Sequence, residues 1–281
     1  LHTPKKEIVI DVGQNITGWL EFKVNAPEDF EVILEFGEIL QNGNFYRANL
    51  RSALQQYRYI SDGQERIIHP HFTYYGFRYV KLTKWSGPLE ESNFTACNVY
   101  SDLPIIGNLT TSNPLVNQLI SNGLWSQKDN FLDVPTDCPQ RDERLGWTGD
   151  AQIFCKTAMF NMNCYSFYRK YLKELYLHQI RDGGVPPVFV PFFGERGSFF
   201  LTEDGIIAWA DCATIMPFNV YLMNGKKQIL EDQYQSMIDW VDQMTTHIGD
   251  NGLWDLSYLQ LCDWLALDGP NTRQNANRVF G

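Results

Sequence analysis

The chain has 281 residues and a formal net charge of −10 at pH 7, which argues against nucleic acid or an anionic membrane as the main partner, since both call for a basic surface. It holds no run of about 18 apolar residues, so no stretch is expected to cross a bilayer, and its first residues, LHTPKK, carry no signal-peptide pattern. A chain of this length is expected to form two domains, and its 8 tryptophans and 14 tyrosines supply rings for a core and for stacking on sugars.

From residue 7 to about residue 100 the pattern has period two. Segments 19–24 (WLEFKV), 31–36 (EVILEF), 56–60 (QYRYI) and 77–82 (FRYVKL) alternate and are rich in β-branched and aromatic residues, so they are predicted strands. The stretches 41–44 (QNGN), 61–63 (SDG) and 86–88 (SGP) are turn chemistry, and their spacing predicts an antiparallel β-sandwich. For Asp11, Gln14, Glu38 and Arg47, solvent-facing or turn-stabilising roles are favoured over sugar contacts.

After residues 102–104 (DLP) the period changes, which places a domain boundary near residue 105 and divides the chain into 1–105 and 106–281. Ser112 is placed to cap a helix with Pro114 in its first turn and Leu115, Val116, Leu119, Ile120 and Leu124 on one apolar face. A second helix is expected from Thr148 or Gly149 through Met159, and a third over residues 165–180, stopped by Gly183 and Gly184. Residues 185–194 (VPPVFVPFFG) form a proline-aromatic loop. A fourth helix is predicted over 206–223 with a kink or break at Pro217, and a fifth over 226–247 with Ile229, Leu230, Tyr234, Met237, Ile238, Val241 and Met244 on its apolar side. Paired helices with elaborate loops between them describe a helical toroid, and about half a dozen are too few to close one, so the domain is expected to continue past residue 281.

The six cysteines (97, 138, 155, 164, 212 and 262) show no C-x-x-C pair and no histidine at ligand spacing, and buried free thiols are expected.

Residues 133–150 (DVPTDCPQRDERLGWTGD) concentrate the chemistry: five carboxylates, Arg141, Arg144 and Trp147, broken by Pro135, Pro139, Gly146 and Gly149. That punctuation forbids a continuous helix, so the polar groups sit on a shaped loop. Cleaving a glycosidic bond needs one protonated carboxyl and a second carboxylate as base or nucleophile. Glu143 is the better acid candidate, because Leu145 and Trp147 lower the local polarity and Asp142 adds like charge, against Arg141 and Arg144. Asp137 and Asp150 can accept hydrogen bonds from sugar hydroxyls, Arg141 can donate to one or pair with an acid, and Trp147 can pack on a sugar face. The competing readings are a solvated linker, helix capping for Asp150, and a metal site. The last lacks staggered oxygen ligands of the Asp-x-Asn-x-Asp-Gly kind and sets two arginines against the cation, so no metal is expected.

Residues 137–150 closely resemble the catalytic motif of the α-L-rhamnosidases of glycoside hydrolase family 78. Residues 11–19 (DVGQNITGW), 36–40 (FGEIL) and 72–79 (FTYYGFRY) look like the β-sandwich domain that precedes the family's (α/α)6 barrel; Trp209 with Asp211 and Pro217, and Asp263 with Trp264, look like later barrel segments. The resemblance implies an antiparallel β-sandwich followed by an incomplete (α/α)6 barrel, and an inverting hydrolase of terminal α-L-rhamnose. It implies Glu143 as general acid, with Asp137, Arg141, Trp147, Asp150, Trp209, Asp263 and Trp264 in the rhamnose subsite. The family's general base is a glutamate of a later barrel segment, expected beyond residue 281, and Glu174, Glu195, Glu203 and Glu231 match no such motif. Cys262 departs from the family pattern, where glycine is expected. The expected partner is a rhamnose-containing glycoside or polysaccharide, with no cofactor, no nucleic acid and no membrane; a homodimer is compatible with these features. Alternatives are another exo-glycosidase on the same scaffold, a non-catalytic sugar-binding fragment, and a polysaccharide lyase, for which His178 and His247 are read as structural rather than as bases.

Overall fold

The computed structural model describes residues 1–193, 205–253 and Leu261. The chain divides into two compact units, Leu1–Asp102 with Leu109–Arg144, and Leu103–Asn108 with Leu145–Gly281.

The first unit carries β1 (Val9–Val24), β2 (Glu31–Gly37), β3 (Ile39–Gln41), β4 (Asn44–Tyr46), β5 (Gln56–Ile60), β6 (Arg66–Ile68), β7 (Tyr75–Lys84) and β8 (Phe94–Asn98). Six of them form one antiparallel sheet in the order β5-β2-β7-β1-β6, with β8 also on β1. The β3–β4 hairpin turns at Asn42 and Gly43, both left-handed (φ 51° and 73°), as the Asn-Gly pair predicts. Alternation in β2 sends Val32, Leu34 and Phe36 inward, where they meet Leu20, Phe22, Phe77 and Val80. Each such side chain contributes about 1.5–3 kcal/mol by burial. Tyr57 and Tyr59 in the edge strand β5 stand edge-on to Phe22 of β1, with ring centroids 6.2 and 6.3 Å apart. These strands are three places apart in the sheet, so the sheet curls over its own core and one sheet supplies both layers.

Helix α1 (Pro114–Asn130) is capped by Asn113 rather than Ser112: the Asn113 side chain accepts the Leu115 N–H at 2.9 Å. Asn113 is the extended residue immediately before Pro114, whereas Ser112 lies one residue too early to reach the first turn. Trp125 packs on the sheet core and Asp129 is buried, but Leu115, Val116 and Leu119 of the expected apolar face are exposed. The short strands β9 (Phe131–Leu132) and β10 (Val134–Pro135) follow.

The second unit carries β11 (Gly146–Trp147), α2 (Thr148–Asn161), α3 (Tyr165–Arg181), β12 (Phe189–Val190), α4 (Cys212–Asn224) and α5 (Gln228–Thr246). Helix α4 packs against α2, α3 and α5. It begins at Cys212 and not at residue 206, because Ala208 is left-handed (φ 70°) and its N–H is drawn to the Asp211 carboxylate at 2.9 Å. Nor does Pro217 break it: Met216, Pro217 and Val220 are all buried, and that packing carries the helix across the missing hydrogen bond. The buried stripe of α5 is Ile229, Gln233, Ser236 and Trp240, whereas Tyr234 and Val241 of the expected apolar side are exposed. Ser236 is accommodated because its hydroxyl donates to Gln179 Oε1 at 2.5 Å while Gln179 Nε2 donates back to the Ser236 carbonyl at 2.9 Å. Cys138, Cys155, Cys164 and Cys212 are buried free thiols, as expected; Cys97 is free but half-buried, and Cys262 lies outside the described residues. No described helix is long and apolar enough to cross a membrane.

Candidate active site

The acidic loop leaves β10 inside the first unit, and its first carboxylates converge there. Arg141 bridges two of them, donating from Nε to Glu143 Oε2 at 2.9 Å and from a terminal nitrogen to Asp137 Oδ2 at 3.1 Å. Arg51, at the end of a short 3-10 turn (Ala48–Leu50), reaches the same Glu143 oxygen at 2.9 Å. The segment that carries it makes two further ties to the loop: Ser52 to the Asp142 carboxylate, and the Gln55 side-chain amide to the Gln140 carbonyl. Arg51 holds φ 56° and Gln55 φ 43°. Left-handed residues at both places let the segment turn tightly enough to present all three contacts.

Glycine makes room beneath the loop. A Cβ at Gly76 in β7 would stand 2.8 Å from the Gln140 Cβ and 3.0 Å from Pro139 Cγ. Arg144 is turned away from the carboxylates by its own left-handed backbone (φ 58°); its guanidinium lies over Tyr74, 4.3 Å from the ring centroid, and donates to the Tyr74 carbonyl at 3.1 Å. Burial raises the Tyr75 phenol to about 12 and the Cys138 thiol to about 12. Asp137, Cys138 and Glu143 bring three ligand-type atoms within 4.8 Å of one another, but Arg141 already pairs with an oxygen of each carboxylate, so the donor set suits an ion-pair cluster better than a cation.

The loop continues into the second unit, where β11 pairs with β12 and fixes Trp147 opposite Phe189. The two rings meet edge to face, 5.3 Å between centroids. The buried Tyr171 hydroxyl holds the Gly146 carbonyl at 2.8 Å, and Thr148 binds the Val188 carbonyl through both its N–H (2.9 Å) and its hydroxyl (3.0 Å). Trp147 and Trp209 pack on one apolar cluster of Val188, Phe189, Phe192, Ile206 and Leu261. Gly149 admits the Trp209 indole, which would stand 2.9 Å from any Cβ there. Among the described residues the buried Trp209 Nε1 has no hydrogen-bond partner. Asp150 is exposed in the first turn of α2, where the helix dipole favours an acid. His178 accepts the Phe192 N–H at 3.1 Å, and burial lowers its basicity, in keeping with a structural role.

The structure therefore gathers Asp137, Arg141 and Glu143 in the first unit, and Trp147 and Trp209 in the second. Asp263 and Trp264 lie outside the described residues, as do Glu195 and Glu203. Arg51, Ser52 and Gln55 were not picked out by the sequence, and their segment carries no motif that marks them.

An antiparallel sheet domain followed by a helical domain, with a carboxylate–arginine loop leading into the helices, is the plan of a six-hairpin glycosidase. Residues 104–280 match the bacterial alpha-L-rhamnosidase 6 hairpin glycosidase domain, and residues 1–100 match the bacterial alpha-L-rhamnosidase concanavalin-like domain. The chain belongs to the bacterial α-L-rhamnosidase family. An α-L-rhamnosidase of Alteromonas sp. is 37% identical over 280 residues, covering 98% of this chain and 29% of that protein. Among solved structures, the native α-L-rhamnosidase from Aspergillus terreus superposes with a TM-score of 0.89 at 36% identity, over 96% of this chain and 31% of that one. The Streptomyces avermitilis α-L-rhamnosidase complexed with L-rhamnose gives 0.85 at 34% identity, over 94% and 25%. The chain thus spans less than a third of the length of these relatives.

Proposed function

We propose that the protein to which this chain belongs is an inverting glycoside hydrolase that releases terminal α-L-rhamnose, with Glu143 as general acid. The observation that carries the reading is the double hold on Glu143 Oε2: two guanidiniums favour the ionised carboxyl, and what they supply is a fixed orientation, which proton transfer to a glycosidic oxygen requires. The α-L-rhamnosidase relatives and the rhamnose held by the Streptomyces avermitilis neighbour support the choice of sugar. In this reading Asp137 and Asp150 accept from sugar hydroxyls, Arg141 orients Glu143, and Trp147 and Trp209 offer apolar faces to the ring and its methyl group; Asp263 and Trp264 complete the subsite. In this reading the base is a carboxylate from a later segment of the full-length protein, which would activate a water on the opposite face of the sugar.

Glu143→Gln in the full-length protein should lower kcat on an alkyl rhamnoside by about 10²- to 10⁴-fold, the usual contribution of a positioned acid. The loss should be smaller on an aryl rhamnoside, whose leaving group needs less proton assistance. Near-normal turnover of the alkyl substrate would sink the assignment. NMR of the first-formed anomer tests inversion, and a preference for another sugar in a panel of glycosides would overturn the substrate.

A further inference from the structure

We propose that a cleft beside Tyr74 in the first unit receives the ring on the leaving-group side of the scissile bond: an uncharged six-membered ring with a face to stack, either a pyranose or a phenol. The proposal rests on the reading of Glu143 as proton donor.

The cleft has a volume of about 370 Å³ and is lined by Trp19, His69, His71, Phe72, Tyr74 and Arg144, among others. Four rings run along it as a ladder. Trp19 stacks on His69 with centroids 5.9 Å apart and planes at 24°, His69 lies 4.5 Å from His71, and His71 lies 6.4 Å from Phe72. Phe72 is fully exposed and holds a left-handed backbone (φ 57°). A bulky L-residue avoids that region, and an exposed phenyl ring forfeits its hydrophobic gain. Both costs at one residue point to a ring held out for a ligand. The ladder offers π-faces to C–H groups or to a second aromatic ring. It also has a polar anchor: His69 Nδ1 lies 3.0 Å from the Pro70 carbonyl, which leaves Nε2 for a ligand hydroxyl. The lining's one guanidinium, that of Arg144, already lies over Tyr74, so nothing here selects for an anion.

Chain direction places the cleft. Arg144 follows Glu143 directly, and its φ of 58° sends Glu143 to Arg51 and Arg141 while Arg144 enters the cleft. A general acid gives its proton to the oxygen that departs, so the departing group must lie against that residue. The cleft shares Arg144 with the loop that carries Glu143, which ties the two together in the first unit.

The test uses the full-length protein on methyl α-L-rhamnoside, a rhamnosyl disaccharide and a phenolic rhamnoside. Phe72→Ala and His71→Ala should raise KM about tenfold on one or both ring-bearing substrates, as loss of a stacking face would. The effect should be confined to those substrates and leave their kcat in place. Loss on the disaccharide alone assigns a pyranose; loss on the phenolic alone assigns an aryl ring. Equal losses on all three substrates, or none on any, overturn the proposal. If the unsubstituted protein turns over no rhamnoside, or Glu143→Gln turns it over normally, the proposed function has failed, and the cleft is then judged from crystals of the full-length protein soaked with the disaccharide or the phenolic glycoside. A sugar or aryl ring seated on the His69–His71–Phe72 ladder supports the cleft; a ring bound elsewhere, or another segment of the protein covering Phe72, overturns it.

Discussion

Glu143 shares one carboxylate oxygen between two guanidinium groups of very different sequence origin. Arg141 is two residues away, inside the same loop, and the Asp137–Arg141–Glu143 cluster is legible because seven residues of punctuated chain cannot spread far. Arg51 is 92 residues upstream, and nothing in its surroundings (NLRSAL) distinguishes it from any solvated arginine. The direction of Arg144 was equally hidden, since a single left-handed φ decides it. In the proposed mechanism Arg51→Ala leaves the acid held by Arg141 alone. We expect kcat on a rhamnoside to fall by about 10- to 100-fold, on the scale of a misplaced catalytic group. KM and the melting temperature should barely move, because the Arg51 side chain is 59% exposed and such pairs contribute about 0–1 kcal/mol. Steady-state kinetics with parallel melts would decide it; an unchanged kcat would assign the whole hold to Arg141.

At the scale of elements, the strands were legible because alternation and turn chemistry agree, as in β2 and the β3–β4 hairpin. Among the described residues the helices were legible in place more than in detail. Apolar periodicity misjudged the buried stripe of α5, because the Gln179–Ser236 pair satisfies its polar atoms internally. The start of α4 depends on the left-handed Ala208, which leaves no compositional mark. The seating of the acidic loop on β7 depends on one missing methyl group. Gly76→Ala would press on Gln140 Cβ and Pro139 Cγ, neither of which is the far end of a flexible chain. The expected cost is roughly 1–3 kcal/mol of stability, as for other overpacked sites, together with reduced turnover from a displaced Glu143. Adding Gln140→Gly removes the nearer contact and should restore part of both. A double variant no better than Gly76→Ala would show that the loop is held elsewhere.

For the whole molecule, the sequence marked where period two gives way to helical spacing, but not how the first helix is joined to the sheet. That joint is a buried carboxylate. Asp129, 6% exposed near the C-terminal end of α1, accepts the Thr17 N–H of β1 at 2.9 Å, and the Thr17 hydroxyl donates to the Asp129 carbonyl at 2.7 Å. Burial is the dominant influence and raises its pKa from 3.8 to about 7, against the lowering effect of the hydrogen bonds from Thr17 and Asn98. A helix C-terminus is also an unfavourable place for negative charge. The folded state therefore holds the proton more tightly than the unfolded chain. Its stabilising effect is fully present below about pH 4 and is lost as pH rises through about 7, beyond which it no longer changes. At about 1.4 kcal/mol per pKa unit the whole window is worth on the order of 4 kcal/mol. Asp129→Asn keeps an acceptor for the Thr17 N–H and cannot ionise, so it should abolish this dependence. Unfolding of the two proteins, followed between pH 4 and pH 8, should give curves that converge at the acid end and separate above about pH 5, with the variant the more stable at neutral pH. Parallel curves across that range would show that Asp129 is ionised in the fold at every pH tested, and that the joint between helix and sheet is made by an ion rather than by a neutral acid.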